Sequence, residues 1–132
     1  MALAGRGRVA VVFRDADPAA APSPRLDAVF TALTEEDLSV EAVPYVEGRA
    51  KQTAARLSVV DAALVWVDPL SEEGDRRELD RVLRKVAGAG VWVSAHPDVV
   101  DRLGTKEVLV ATRDLSWGCD VHLYQGPEDF RH

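Results

Sequence analysis

The chain has 132 residues, 47% of them hydrophobic and 29% charged, with a net charge of −6 and one cysteine. This length and composition fit a single globular domain, residues 1–132, with a core of its own. The negative charge argues against a general nucleic-acid binder, which is usually basic. The lone Cys119 excludes an internal disulfide and suits a reducing, cytoplasmic setting.

The opening MALAGRGRVAVVF has no separate apolar segment with a cleavage site, so no signal peptide is expected. It runs directly into Arg8–Phe13, a short apolar, β-branched stretch that reads as a buried strand. The Ala/Pro-rich residues 15–24 read as a loop. Ser23-Pro24 then signals a helix start, with Leu26, Val29, Phe30 and Leu33 at helical spacing. Leu38–Val43 alternates as a second strand, and residues 48–57 read as a polar second helix. Asp61–Val67, DAALVWV, is the clearest buried strand and is closed by Asp68-Pro69. A third helix is expected over Asp75–Val86. Asp75 and Glu78 stand at capping-box spacing, Leu79, Val82, Leu83 and Val86 form the stripe, and GAG ends it. The acidic residues Glu72, Glu73 and Asp75 suit the start of that helix. Val91–Val93 reads as a fourth strand, followed by a helical turn near 98–103 and a helix from Thr105 to about Arg113. Val121–Tyr124 reads as a last strand, and PEDFRH as a helix opening.

Strands that alternate with helices imply βαβ units, a parallel sheet and helices on both faces. Val11, Val65, Trp66, Leu83 and Val93 are expected inside, and Trp92 reads as core as well. Ligands of such sheets bind beyond the carboxyl ends of the strands. Those ends are Arg14-Asp15, Tyr45, Asp68 and Ser94-Ala95-His96. No run is apolar enough for a membrane span of roughly 20 residues, so no membrane partner is expected.

Neither GxGxxG nor GxxxxGK[ST] occurs. Gly104-Thr105-Lys106 places free backbone N–H groups, a hydroxyl and an ammonium at a helix start, a set that could hold a phosphate; its plainer reading is a capped surface helix. Helix dipoles disfavour a cation at that end, which is why Lys106 stands out. His96, Cys119, Asp120 and His122 fit no standard zinc spacing, so no metal site is expected, and the terminal His132 is set aside.

The stretches VAVVFRDAD, SPRLDAVFTAL, DAALVWVDPL, GVWVSAHPDVVDRLGTKEVLVATRDLSWGCDVHLY and PEDFR together resemble the N-terminal, pre-ATP-grasp domain of an ATP-grasp-like family. That family is related to D-alanine–D-alanine ligase and glutathione synthetase. The resemblance implies a three-layer Rossmann-like α/β domain with a parallel sheet of four or more strands, helping to shape a substrate cleft. It implies a phosphate- and substrate-facing role for Ser94 and Lys106. Thr105 at the same helix start, and His96, Arg14 and Asp15 at the carboxyl ends of the strands, complete the candidate set from the residues themselves. It departs from the ligases after the first strand, where Arg14-Asp15-Ala16-Asp17 replaces a Gly-rich turn.

The nucleotide-binding lobes are absent from these residues, so a truncated relative or a partner for a separate lobe is expected, without catalysis by this chain alone. ATP and Mg²⁺ are implied only when an ATP-grasp lobe completes the site. That lobe in trans is one expected partner. The other is a second copy, paired through Trp117, Val121, Leu123, Tyr124 and Phe130. The alternative function is a receiver-like phosphoacceptor domain that uses Asp68, with Asp15 and Asp17 nearby and Ser94 as the switch hydroxyl.

Overall fold

A computed structural model describes residues 6–69 and 75–131. The expectations for Glu72, Glu73 and His132 lie outside the described residues. The chain divides into two compact units, Met1–Pro97 and Asp98–His132.

The first unit is built on four strands, β1 (Gly7–Arg14), β2 (Leu38–Tyr45), β3 (Ala62–Trp66) and β4 (Trp92–Ser94). All pair in parallel, in the order β2-β1-β3-β4. A parallel pair needs a crossover, and the crossover is right-handed. The chain steps one way from β1 to β2 and the other way from β2 to β3 and on to β4. That reversal sends α1 (Asp27–Glu35) to one face, and α2 (Ala50–Leu57) and α3 (Arg77–Gly88) to the opposite face. The result is a three-layer Rossmann-like α/β fold.

Strand alternation sorts the side chains between two cores. Ala10, Val12, Val43, Tyr45, Ala63 and Val93 point toward α2 and α3, where Leu57, Leu79, Val82, Leu83 and Val86 meet them. The α3 stripe is therefore buried as its spacing predicts. Val11 and Phe13 point the other way and pack with Leu26, Val29, Phe30, Leu33 and Leu64. Gly90 follows the helix at φ 105°, a conformation that favours glycine.

Val11, Leu83 and Val93 are buried, and Val65 packs half-buried against the larger core. Trp66 and Trp92 are not core residues: they are 58% and 61% exposed. The cause is alternation combined with helix placement. Trp66 shares a face with Leu64, and α1, which serves that face, packs against β1 and β2 rather than over β3 and β4. The capping box is also corrected. The Asp75 carboxylate accepts the Arg77 N–H (2.7 Å), as a cap does, but Glu78 turns away to bond Tyr45 and Gly48.

In the second unit, α4 (Pro97–Leu103, which begins at the unit boundary) and α5 (Glu107–Ala111) precede a closing 3₁₀ turn, Asp129–Arg131. The helix expected from Thr105 is thus only five residues long. The strand expected at Val121–Tyr124 is not formed. A strand needs a neighbouring ladder, and these residues make local aromatic contacts instead, with Tyr124 lying between His122 (6.4 Å) and Phe130 (5.2 Å, edge-on). Among the described residues no helix is long and apolar enough to cross a membrane.

Candidate functional site

The first unit reverses its crossover direction between β1 and β3. In open parallel sheets the carboxyl ends of two such strands splay their loops apart and leave a crevice. Phe13 and Trp66 are register partners, so Arg14-Asp15 and Val67-Asp68 leave the sheet side by side. A cleft of about 490 Å³ opens there, walled by Arg14, Asp15, Trp66 and Asp68, with Ser23 and Arg25 on the rim contributed by the turn before α1. A second hollow of about 560 Å³ is lined by Arg14, Asp15, Val46 and Glu47.

Arg14 lines both hollows, and its side chain is only 13% exposed. Its guanidinium stacks over the Tyr45 ring, 5.4 Å from the centroid. It reaches Glu47 at 3.8 Å and donates to the Asp75 carbonyl at 3.4 Å. One arginine therefore ties the ends of β1 and β2 to the start of α3. Asp15 is fixed in two ways: its N–H donates to the Tyr45 carbonyl (3.2 Å), and its carboxylate accepts the Asp17 N–H (2.9 Å).

Behind this wall stands a second polar layer. The Tyr45 hydroxyl donates to Glu78 (3.3 Å), and the same Glu78 oxygen accepts the Gly48 N–H (3.0 Å). Burial pushes the Tyr45 hydroxyl up to about 12, and the neighbouring Glu78 carboxylate adds to the rise. Tyr45 thus stays a neutral donor. Arg76 is buried. It pairs with Asp80 at 2.8 Å and donates to the Val67 carbonyl, which fixes the cleft side of β3.

Of the residues singled out in the sequence, Arg14, Asp15 and Asp68 come together. Ser94 closes β4 and His96 follows two residues later, and neither lines this cleft. Thr105 and Lys106 belong to the second unit, at the start of α5. There Thr105 bonds the Glu107 carboxyl, which holds that acid below its usual range. Gly104 follows the end of α4, where a Cβ would sit 2.6 Å from the Val100 carbonyl. A helix end thus accounts for this glycine without a phosphate. Among the described residues no three His, Cys, Asp or Glu side chains converge as a cation site.

Sequence reasoning missed Trp66, Arg25, Glu47 and the Tyr45–Glu78 pair as site residues. A usable signal existed for Trp66: it is the last paired residue of a strand that leads straight into Asp68-Pro69 at the ligand-facing edge.

Fold and cleft together define a Rossmann-like α/β unit with a crevice at its strand-switch point. Comparison with protein-family models, with curated proteins and with solved structures finds no match.

Proposed function

We propose that this chain is a ligand-binding domain of the ATP-grasp type, which presents a small molecule to a nucleotide-binding lobe and transfers no phosphoryl group by itself. The observation that carries this reading is the cleft at the carboxyl edge of β1 and β3, with Arg14 and Asp15 in its wall. Phosphoryl transfer requires charge neutralisation around the phosphates by several groups and metal ions. On this reading ATP and Mg²⁺ are held by the partner lobe, and this chain supplies substrate position. Lys106 and Ser94 are the residues proposed to face phosphate once that lobe is present.

The test is ATP turnover by the intact chain, alone and with an ATP-grasp lobe supplied in trans. Turnover should require the lobe and should fall in Arg14→Ala. ATP hydrolysis by the chain alone, lost in Lys106→Ala, would overturn the proposal.

A second reading is favoured by one observation, the side-by-side exit of Asp15 and Asp68 from paired strands. This is the placement a receiver-like phosphoacceptor uses. Acetyl phosphate with Mg²⁺ should then label Asp68, and the absence of label removes this reading.

A further inference from the structure

Resting on the reading that the β1–β3 cleft holds a ligand, we infer that its ligand is a neutral ring carrying vicinal hydroxyls, of the sugar or nucleoside kind, seated on the Trp66 indole. Trp66 is 58% exposed and forms part of the cleft wall, whereas its register partner Phe13 is buried at 7%. The cleft therefore offers one large flat apolar face. Indole faces take rings by stacking or by C–H contact, with little dependence on ring identity.

The rest of the wall sets the polarity of the ligand. Among the described residues of the lining, Arg14 and Arg25 oppose Asp15 and Asp68, so their formal charges cancel. Glu47, 3.8 Å from Arg14, offsets that arginine further. A highly charged anion entering here meets two aspartates for its two arginines. Hydroxyl groups suit such a wall because each can both donate and accept. They donate to the aspartate oxygens and accept from the guanidinium groups, and Ser23 can serve in either sense. Two adjacent hydroxyls can engage both oxygens of one carboxylate, and hydrogen bonds to an ionised acceptor are the stronger kind. The volume of about 490 Å³ falls within the roughly 300–1,000 Å³ of small-molecule sites.

The test uses the intact chain carrying Trp92→Phe and Trp117→Phe, both at exposed positions, so that Trp66 is the sole indole reporter. Its fluorescence is titrated with glucose, adenosine, the matched 2-deoxy and 2′-deoxy compounds, adenosine monophosphate and glutamate. Saturable change with glucose or with adenosine is expected, and whichever responds identifies the source of the ring. The deoxy compound should bind about tenfold more weakly, and Asp68→Asn should weaken the hydroxylated ligand by a similar factor, as expected for a lost hydrogen bond to a charged acceptor. The monophosphate should bind no more tightly than adenosine. Saturation by glutamate alone, or a monophosphate about tenfold tighter than adenosine, would overturn the ligand class and leave the cleft reading standing. No saturable response to any of these compounds would overturn both.

Discussion

The two faces of the sheet carry similar apolar strand residues and reach opposite ends. Toward α2 and α3, fourteen of the described residues are buried in one continuous core, with Tyr45, Leu57, Leu79 and Leu83 fully enclosed. Toward α1, the buried cluster is Val11, Phe13 and Leu26, and the same face of β3 and β4 ends in exposed Trp66 and Trp92. The difference comes from topology and not from hydrophobicity. Two right-handed crossovers run one way and one runs the other, so one face receives two helices and the other receives one. The closed face stabilises the fold, and the cleft forms on the side where the open face meets the carboxyl edge.

The largest test of that contrast is Leu83→Ala in the closed core. It should cost roughly 2–5 kcal/mol, read from denaturant midpoints, because a fully buried leucine leaves a cavity. Next comes Arg76→Ala, which strands the Asp80 carboxylate and the Val67 carbonyl in a buried setting and should cost about 3 kcal/mol. The third effect depends on pH. The Tyr45 pKa is raised, first by burial and then by Glu78, so the unfolded chain loses its proton near pH 10 and the folded one near 12. Tyr45 stabilisation is complete below pH 10 and falls as pH rises through 12, by about 2–3 kcal/mol in all. Tyr45→Phe should remove that alkaline slope from the unfolding free energy. The smallest effect belongs to the open face: Trp66→Ala and Trp92→Ala should each cost under about 1 kcal/mol. A core-sized loss at either position would erase the distinction between the faces.

Much of this was legible from local pattern. The β-branched runs specify β1 and β3, the i, i+3, i+4 stripe specifies the buried side of α3, and alternating strands and helices specify a parallel sheet. From that sheet the carboxyl edge follows, and with it Arg14, Asp15 and Asp68. What escaped depends on which neighbour covers which face. Trp66 lies in an apolar run that reads as core throughout, yet its burial depends on where a helix from another part of the chain comes to rest. Glu78 has the spacing of a local cap, but a tyrosine hydroxyl and a backbone N–H thirty or more residues away hold it more fully. Val121–Tyr124 has strand propensity without a strand partner, and propensity alone does not make a ladder.

The central claim is that ligand enters between the carboxyl ends of β1 and β3. The most direct test is amide and indole NMR of the intact, isotope-labelled chain, with glucose and adenosine added in turn. Saturable shifts at Arg14, Asp15, Asp68 and the Trp66 indole, with Ser94, His96, Thr105 and Lys106 unmoved, are the predicted result. Shifts confined to Ser94, His96, Thr105 and Lys106, or no shifts at all, would contradict it.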